Sequence, residues 1–196
     1  MIKLKDLLLE GTVPDIFVPK RMGDRLERMI SLYIRNGSKG NLDLKSMKLT
    51  KLPEILKNVN VGGDFYCDNN KLTSLVNAPK FVSGTFICSR NSLNSLTGAP
   101  TSVGKDFYCG NNFLTSLEFA PKTVSGVFDC SYNDLTSLEF APKTVGGFFD
   151  CRYNELTSLE FAPKTVGGFF DCRYNPVKFT EKQVRAVCDV KGDVYV

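Results

Sequence analysis

Apolar residues recur every 21 positions through most of this chain, and variable polar positions separate them in a constant order. A phenylalanine is followed two positions later by a cysteine and, after three more, by an asparagine. Two leucines and an Ala-Pro pair complete the unit at the same spacing. A fixed period of this length is typical of a stacked array in which each repeat contacts only its neighbours. The pattern therefore predicts a repeat solenoid.

The Phe-x-Cys segment of each unit has the alternation of a short β-strand with one buried side. We expect these segments to pair side by side in a parallel sheet of about seven strands, with phenylalanine and cysteine pointing inward. The proline of the Ala-Pro pair lacks an N–H group and fixes φ. The opposite side of the unit is therefore expected to be mostly irregular, polyproline-like or 3-10, without a long helix.

The unit Phe-x-Cys-x-x-Asn-x-Leu resembles the leucine-rich repeat, L-x-x-L-x-L-x-x-N/C-x-L, with phenylalanine and cysteine at the two strand leucines. The full repeat sequence resembles a short 21-residue type found in proteins of tailed bacteriophages and some bacteria. It reads Val-Gly-Gly…Phe-x-Cys-x-x-Asn-x-Leu-Thr-Ser-Leu…Ala-Pro. The resemblance covers residues 42–177, including a degenerate first copy from Leu42. It implies a leucine-rich-repeat solenoid with its parallel β-sheet on the concave face.

The same resemblance assigns a structural role to the asparagine row. In such repeats this side chain lies inside the turn after the strand, where it satisfies backbone N–H and C=O groups. The expected ladder consists of Asn70, Asn91, Asn112, Asn133, Asn154 and Asn175.

Both ends of the chain depart from the repeat and predict helical caps, as a solenoid needs at its open edges. Residues 1–41 form the N-terminal cap, with helices over residues 2–10 and about 19–35. The second helix has one apolar face that includes Leu26 and Ile30. Residues 178–196 form the C-terminal cap, in which Thr180-Glu-Lys-Gln183 matches a capping box. The alternative for residues 1–41 is a separate docking element for a partner.

Candidate binding residues are the strand positions that point away from the core. In the last three repeats these positions form rows of tyrosine, aspartate, arginine and phenylalanine. Tyrosine, phenylalanine and arginine are residue types that are enriched at protein interfaces. The predicted partner-binding residues are Phe148, Asp150, Arg152, Tyr153, Phe169, Asp171, Arg173, Tyr174, Asp129 and Tyr132. The alternative is that aspartate and arginine only neutralise one another, and that the identical rows reflect recent duplication.

Charge and composition argue against other classes of function. The net charge is +4, but the predicted concave rows carry more aspartate than arginine, which disfavours a nucleic-acid backbone. The chain has no histidine, so neither a Ser–His–Asp triad nor a Cys–His pair can form, and no phosphate loop is present. We therefore expect no enzyme activity, no small-molecule substrate and no cofactor.

The seven cysteines predict buried free thiols, because six of them occupy the inward strand position. This usage favours a reducing compartment such as a cytoplasm. No C-x-x-C pair accompanies them, so no metal site is predicted. Cys188 lies outside the row and is expected to be the one reachable thiol.

These features together predict a non-catalytic protein-binding module. The phage resemblance implies an accessory protein that binds a host protein in the host cytoplasm, with inhibition of a defence component as one form. The alternative is a structural or adsorption-related virion protein, which the Leu8-Leu9-Glu10 match to a prohead-protease site favours. No apolar run reaches 18 residues, so no membrane association is expected. The oligomeric state is left open.

Overall fold

The structure, a computed structural model, describes residues 22–196, with side chains from residue 25 onwards. The helix predicted over residues 2–10 and the Leu8-Leu9-Glu10 motif lie outside these residues. The described chain winds into a stack of parallel turns with the 21-residue period, and a short helix lies at each end. The predicted repeat solenoid with a parallel β-sheet is confirmed.

One side of every turn contributes a two-residue strand to an eight-stranded parallel sheet. Equivalent residues of successive turns pair directly, so that Phe149 lies between Phe128 and Phe170. Numbered in chain order, its strands are β1 (Leu42–Asp43), β3 (Phe65–Tyr66), β5 (Phe86–Ile87), β7 (Phe107–Tyr108), β9 (Phe128–Asp129), β11 (Phe149–Asp150), β13 (Phe170–Asp171) and β15 (Val194–Tyr195).

Each turn also contains a second strand, which the sequence did not predict. This strand ends on the valine that recurs with the 21-residue period. These strands form a three-stranded and a four-stranded parallel sheet and point their valines into the core. They are β2 (Asn60–Val61), β4 (Phe81–Val82), β6 (Ser102–Val103), β8 (Thr123–Val124), β10 (Thr144–Val145), β12 (Thr165–Val166) and β14 (Asp189–Val190).

The Gly-Gly pairs of the repeat lie where the two strands of a turn meet, and they allow close stacking of the turns. A Cβ atom on Gly146 would overlap the carbonyl oxygen of Ser125, and one on Gly147 would lie 2.7 Å from the carbonyl carbon of Gly126. The N–H of Gly147 donates to that carbonyl at 2.8 Å. Glycine is needed here because the backbones touch, since neither residue has a positive φ.

The core is a column of phenylalanine rings running through the stack. All six are fully buried, and neighbouring ring centres lie 5.1–5.7 Å apart. The cysteine and leucine rows surround this column, and all seven cysteines are buried free thiols. The expectation that Cys188 is reachable is wrong, because this residue, which directly follows the C-terminal helix, is buried and only 2% exposed. Burial raises the pKa of each thiol, which keeps them protonated and unreactive.

Helices α1 (Met22–Arg35) and α2 (Glu181–Val187) lie at the two ends of the stack. Leu26, Ile30 and Tyr33 of α1 join the core, and a 3-10 helix (Glu54–Asn58) follows the first turn. Helix α2 begins at the predicted capping box, in which the N–H of Gln183 donates to Thr180 Oγ1 at 3.3 Å. The domain boundaries after residues 41 and 177 stay predictions.

Candidate functional site

A stack of tyrosine rings stands at the end of the last three phenylalanine strands. The ring centres of Tyr132, Tyr153 and Tyr174 are separated by 4.3 and 4.2 Å. Their side chains are 43%, 38% and 61% exposed. The three residues adopt positive φ angles of 53–59°, a conformation that bulky residues rarely accept. The turn thus directs three aromatic rings into solvent.

The asparagine after each of these tyrosines points inward and ties two turns together. Asn154 Nδ2 donates to the carbonyls of Cys151 and Cys130, both at 3.1 Å, and its Oδ1 accepts from the N–H of Leu135 at 3.0 Å. All six asparagines of the row make the equivalent three contacts. Four are buried, whereas Asn70 and Asn175 at the ends are half-buried. This bonding fixes the backbone that carries the tyrosines.

The aspartate row lies on the solvent side of β9, β11 and β13, but most of it is covered. Asp150 and Asp171 are only 4% and 1% exposed, and Asp129 is half-buried. Each Oδ1 accepts the backbone N–H two residues further on, at 2.9–3.2 Å. A bound molecule would therefore contact the side chains that cover these carboxylates, and the carboxylates would hold those side chains in position.

Two arginines cover the aspartates. Arg173 makes a bidentate contact with Asp171, in which Nε donates to Oδ1 at 3.0 Å and Nη2 donates to Oδ2 at 2.6 Å. Arg152 bridges two turns, with Nε 3.3 Å from Asp150 Oδ2 and Nη1 3.5 Å from Asp171 Oδ2. Its Nε–Asp150 approach is an ion pair without good hydrogen-bond geometry, since buried Nε has no hydrogen-bond partner. Both arginine side chains stay partly exposed and are held in place.

Burial changes the proton affinity of two of the aspartates, Asp129 and Asp150. Burial raises the pKa of Asp150 to about 7, and the nearby charge of Asp129 adds to this, while Arg152 opposes it. Burial likewise raises the pKa of Asp129. Asp150 can hold a proton near neutral pH, and Ser131 Oγ donates a hydrogen bond to Asp129 Oδ1 at 2.6 Å. The chain contains no histidine that could activate this hydroxyl.

The aromatic surface extends across the last strands to a residue that the sequence analysis missed. Phe148 and Phe169 stack at 4.3 Å, and Tyr195 on β15 meets Phe169 edge-on at 5.5 Å. The Arg173 guanidinium lies 4.9 Å from the centre of the Tyr195 ring and 5.9 Å from that of Tyr174. The alternation in Asp193-Val-Tyr-Val196 was the available signal for an outward-facing Tyr195.

These residues form one continuous surface, called here the aromatic–arginine face. It comprises Tyr132, Tyr153, Tyr174, Phe148, Phe169, Tyr195, Arg152 and Arg173. At its C-terminal end an open cleft of about 320 Å³ lies between Tyr174, Arg173 and the apolar residues Val177, Phe179 and Val196. The cleft can take a side chain of a bound molecule.

Other kinds of site find little support in the part of the chain that the structure describes. No group of three His, Cys, Asp or Glu side chains that could hold a metal ion occurs among residues 22–196. None of the described helices is long and apolar enough to cross a bilayer.

The fold resembles that of a solved repeat protein. No protein-family model matches the chain, and no curated protein does. Among solved structures, the leucine-rich-repeat domain of a Shigella effector has a similar fold, with a TM-score of 0.62 and 21% sequence identity. The alignment covers 90% of this chain and 80% of that one. The fold is therefore that of a leucine-rich-repeat solenoid.

Proposed function

We propose that this protein is a non-catalytic protein-binding module and that its partner docks on the aromatic–arginine face. The tyrosine stack carries this proposal. Holding a bulky residue at positive φ costs about 1–3 kcal/mol, and the stacking of the rings, worth about 0.5–1.5 kcal/mol for each pair, does no more than offset it. Folding alone gives no reason for this arrangement, whereas exposed tyrosine, phenylalanine and arginine are the types that dominate interface energetics.

The rigidity of the face supports the same function. Ring stacking restrains the tyrosines, and two hydrogen bonds to Asp171 restrain Arg173. Longer ion pairs, at 3.3 Å to Asp150 and 3.5 Å to Asp171, hold Arg152. A surface that is ordered before binding loses less conformational entropy when a partner arrives. We expect a partner to insert a side chain into the cleft beside Tyr174 and to lay an apolar surface across the rings.

The charge of the face favours a protein over a nucleic acid. Each exposed guanidinium lies on a buried carboxylate, so little net positive charge remains to attract phosphates. No small-molecule substrate, cofactor or metal forms part of the proposal.

The identity of the partner rests on the resemblance to phage repeat proteins. On that basis we propose a host protein as the target, bound in the host cytoplasm, with inhibition of a defence component as one form. The Shigella domain belongs to an effector, which supports the proposal that this fold serves here as a module that binds other proteins. A virion-structural role is the alternative that the same resemblance implies.

The chain itself supplies a variant that removes the rings without disturbing the backbone. Asn69 and Asn111 occupy the tyrosine position in earlier turns, at φ angles of 54° and 57°. The triple variant Tyr132→Asn/Tyr153→Asn/Tyr174→Asn should therefore fold at least as stably as the parent. Affinity capture from host lysate, with the parent and the variant side by side, tests the proposal.

We expect a protein that the parent retains and the triple variant loses, with its dissociation constant raised at least about 30-fold. Arg90→Asn is the matched control, because it alters the same position in an earlier turn and should bind as the parent does. Equal capture by the parent and the triple variant would refute the assignment of this face.

A further inference from the structure

A second row of exposed aromatic rings lies at the tight turn after the leucine row, outside the aromatic–arginine face. Phe119, Phe140 and Phe161 are 52%, 41% and 54% exposed. We call these three residues the tip row. Each is the third residue of a turn closed by a backbone hydrogen bond, such as that from the N–H of Ala141 to the carbonyl of Leu138 at 3.0 Å.

The backbone at the tip row favours other residue types. The three phenylalanines have φ angles of 65–71°, whereas a turn with positive φ at this position normally carries glycine or asparagine. The two preceding turns follow that rule, with Asn77 at 75° and Gly98 at 90°. Asn77 also donates to the carbonyl of Leu52 at 3.1 Å. Phenylalanine gives up this fit in three consecutive turns and leaves its ring in solvent.

Charged rows flank the tip row on both sides. In chain order across each turn, a glutamate precedes the phenylalanine and a lysine follows it after the buried Ala-Pro segment. Because turns stack in register, these residues form a Glu row (Glu118, Glu139, Glu160) and a Lys row (Lys122, Lys143, Lys164). Lys122 Nζ lies 5.9 Å from the centre of the Phe140 ring, which places the Lys row beside the tip row. All six charged residues are exposed, and none is in an ion pair within the described chain.

We propose that the tip row is the interface of a two-fold dimer of this chain, with the two stacks side by side and parallel. A two-fold axis along the stack brings tip row against tip row. It also places each Glu row opposite the Lys row of the second copy, on both sides of the rings. An axis across the stack would instead bring like charges together. The equal numbers of glutamate and lysine make the strip complementary to itself.

This dimer leaves the aromatic–arginine face open, because the tip row belongs to a different part of each turn. The interface does not depend on the proposed function, and the assembly would present two copies of that face.

Sedimentation equilibrium of the full chain over a range of concentrations tests the proposal. The parent should reach twice the monomer mass of 21.8 kDa. The variant Phe119→Asn/Phe140→Asn/Phe161→Asn should stay folded, because Asn77 shows that asparagine fits this turn. It should raise the dimer dissociation constant more than about 100-fold. Phe113→Asn is the matched control: Phe113 is 58% exposed but lies outside the tip row, and its loss should leave dimerisation unchanged.

Charge reversal tests the orientation. A Lys-row variant, Lys122→Glu/Lys143→Glu/Lys164→Glu, and a Glu-row variant, Glu118→Lys/Glu139→Lys/Glu160→Lys, should each be monomeric alone. Mixed in equal amounts they should form a heterodimer, since every facing pair is then opposite in charge. A monomeric parent at all concentrations would overturn the proposal. A parent dimer that survives in the Phe→Asn variant, or a mixture that stays monomeric, would overturn it as well.

Discussion

The first three full turns and the last three share one interior but differ on the outside. Phenylalanine, cysteine and asparagine occupy the same inner positions throughout. At the position before the asparagine, Asn69, Arg90 and Asn111 give way to tyrosines in the last three turns. At the tip, Asn77 and Gly98 give way to phenylalanines one turn earlier, from Phe119 onwards. Because both positions have positive φ, the early turns carry mainly the residues that this backbone favours. The late turns carry aromatic residues that it does not favour.

The start of the strand shows the same difference. In the early turns Asp64 and Asp106 use Oδ1 to accept the N–H of Thr85 and Val127 in the next turn, at 2.8 and 2.7 Å. In the late turns the equivalent position holds Phe148 and Phe169, which stack on each other. At this position the side chains of the early turns thus hold neighbouring turns together by hydrogen bonds, whereas the late turns carry stacked aromatic rings on their outer surface. The interior sets the fold, and the exterior of the late turns is where we locate binding.

The largest effect should come from breaking the shared interior. Phe149→Ala removes a fully buried ring from between Phe128 and Phe170 and should lower the free energy of unfolding by about 3–5 kcal/mol. Phe148→Ala, one residue earlier but on the exterior, should cost clearly less. Urea denaturation of both variants measures the difference. Similar losses would mean that the late exterior is structural after all.

The asparagine row offers a second comparison between neighbouring residues. Asn154→Ala leaves the buried N–H of Leu135 without its acceptor and removes one of two asparagine donors from the carbonyls of Cys130 and Cys151. It should cost about 1–3 kcal/mol. Tyr153→Asn changes the adjacent exterior residue and should alter stability by less than about 1 kcal/mol, since lost stacking offsets relieved strain. Thermal and urea unfolding of the pair distinguishes the two roles. A costly Tyr153→Asn would contradict the view that the tyrosines serve binding.

The aspartate row of the late turns should give stability a distinct pH dependence. Asp150 has a pKa of about 7 in the folded chain, against about 3.9 when unfolded. Between these values the folded chain holds a proton that the unfolded chain has released. This contribution therefore favours folding at low pH and is lost as the pH rises through 7.

The variant Asp150→Asn isolates this contribution. Relative to the variant, the parent should lose about 1–2 kcal/mol of unfolding free energy between pH 5 and pH 8. Urea denaturation at several pH values measures both proteins. Parallel curves for the two would show that Arg152 keeps the carboxylate ionised throughout.

The smallest change in stability should come from extending the tyrosine stack into the last of the early turns. Asn111→Tyr adds a fourth ring beside Tyr132, at a position whose backbone already has positive φ. Stacking and strain should nearly cancel, so that stability changes by less than about 1 kcal/mol. Near-ultraviolet circular dichroism should nevertheless increase, because the added ring joins the stack. An unchanged spectrum would indicate that the stack depends on features of the late turns alone.

The sequence by itself determined the interior. The 21-residue period fixes which residues lie above one another, and the Phe-x-Cys alternation fixes which side chains point inward. The solenoid, its parallel sheet and the capping-box start of α2 could be predicted because each depends on local spacing. The two-residue strands at the valine row were missed, because two residues are too short to show a periodicity of their own.

Only the tertiary structure decided how the outer residues are presented. Simple alternation would point Tyr153 inward and Asn154 outward, and the left-handed backbone at Tyr153 reverses them. Asn69 and Asn111 at the tyrosine position, and Asn77 and Gly98 at the tip, were the signal that positive φ recurs there, but tyrosine and phenylalanine conceal it in the later turns. The burial of Asp150 and Asp171 depends on arginines from their own and neighbouring turns, and Tyr195 joins the face only because β15 pairs with β13. These features arise from contacts between turns, which a period in the sequence places together but does not describe.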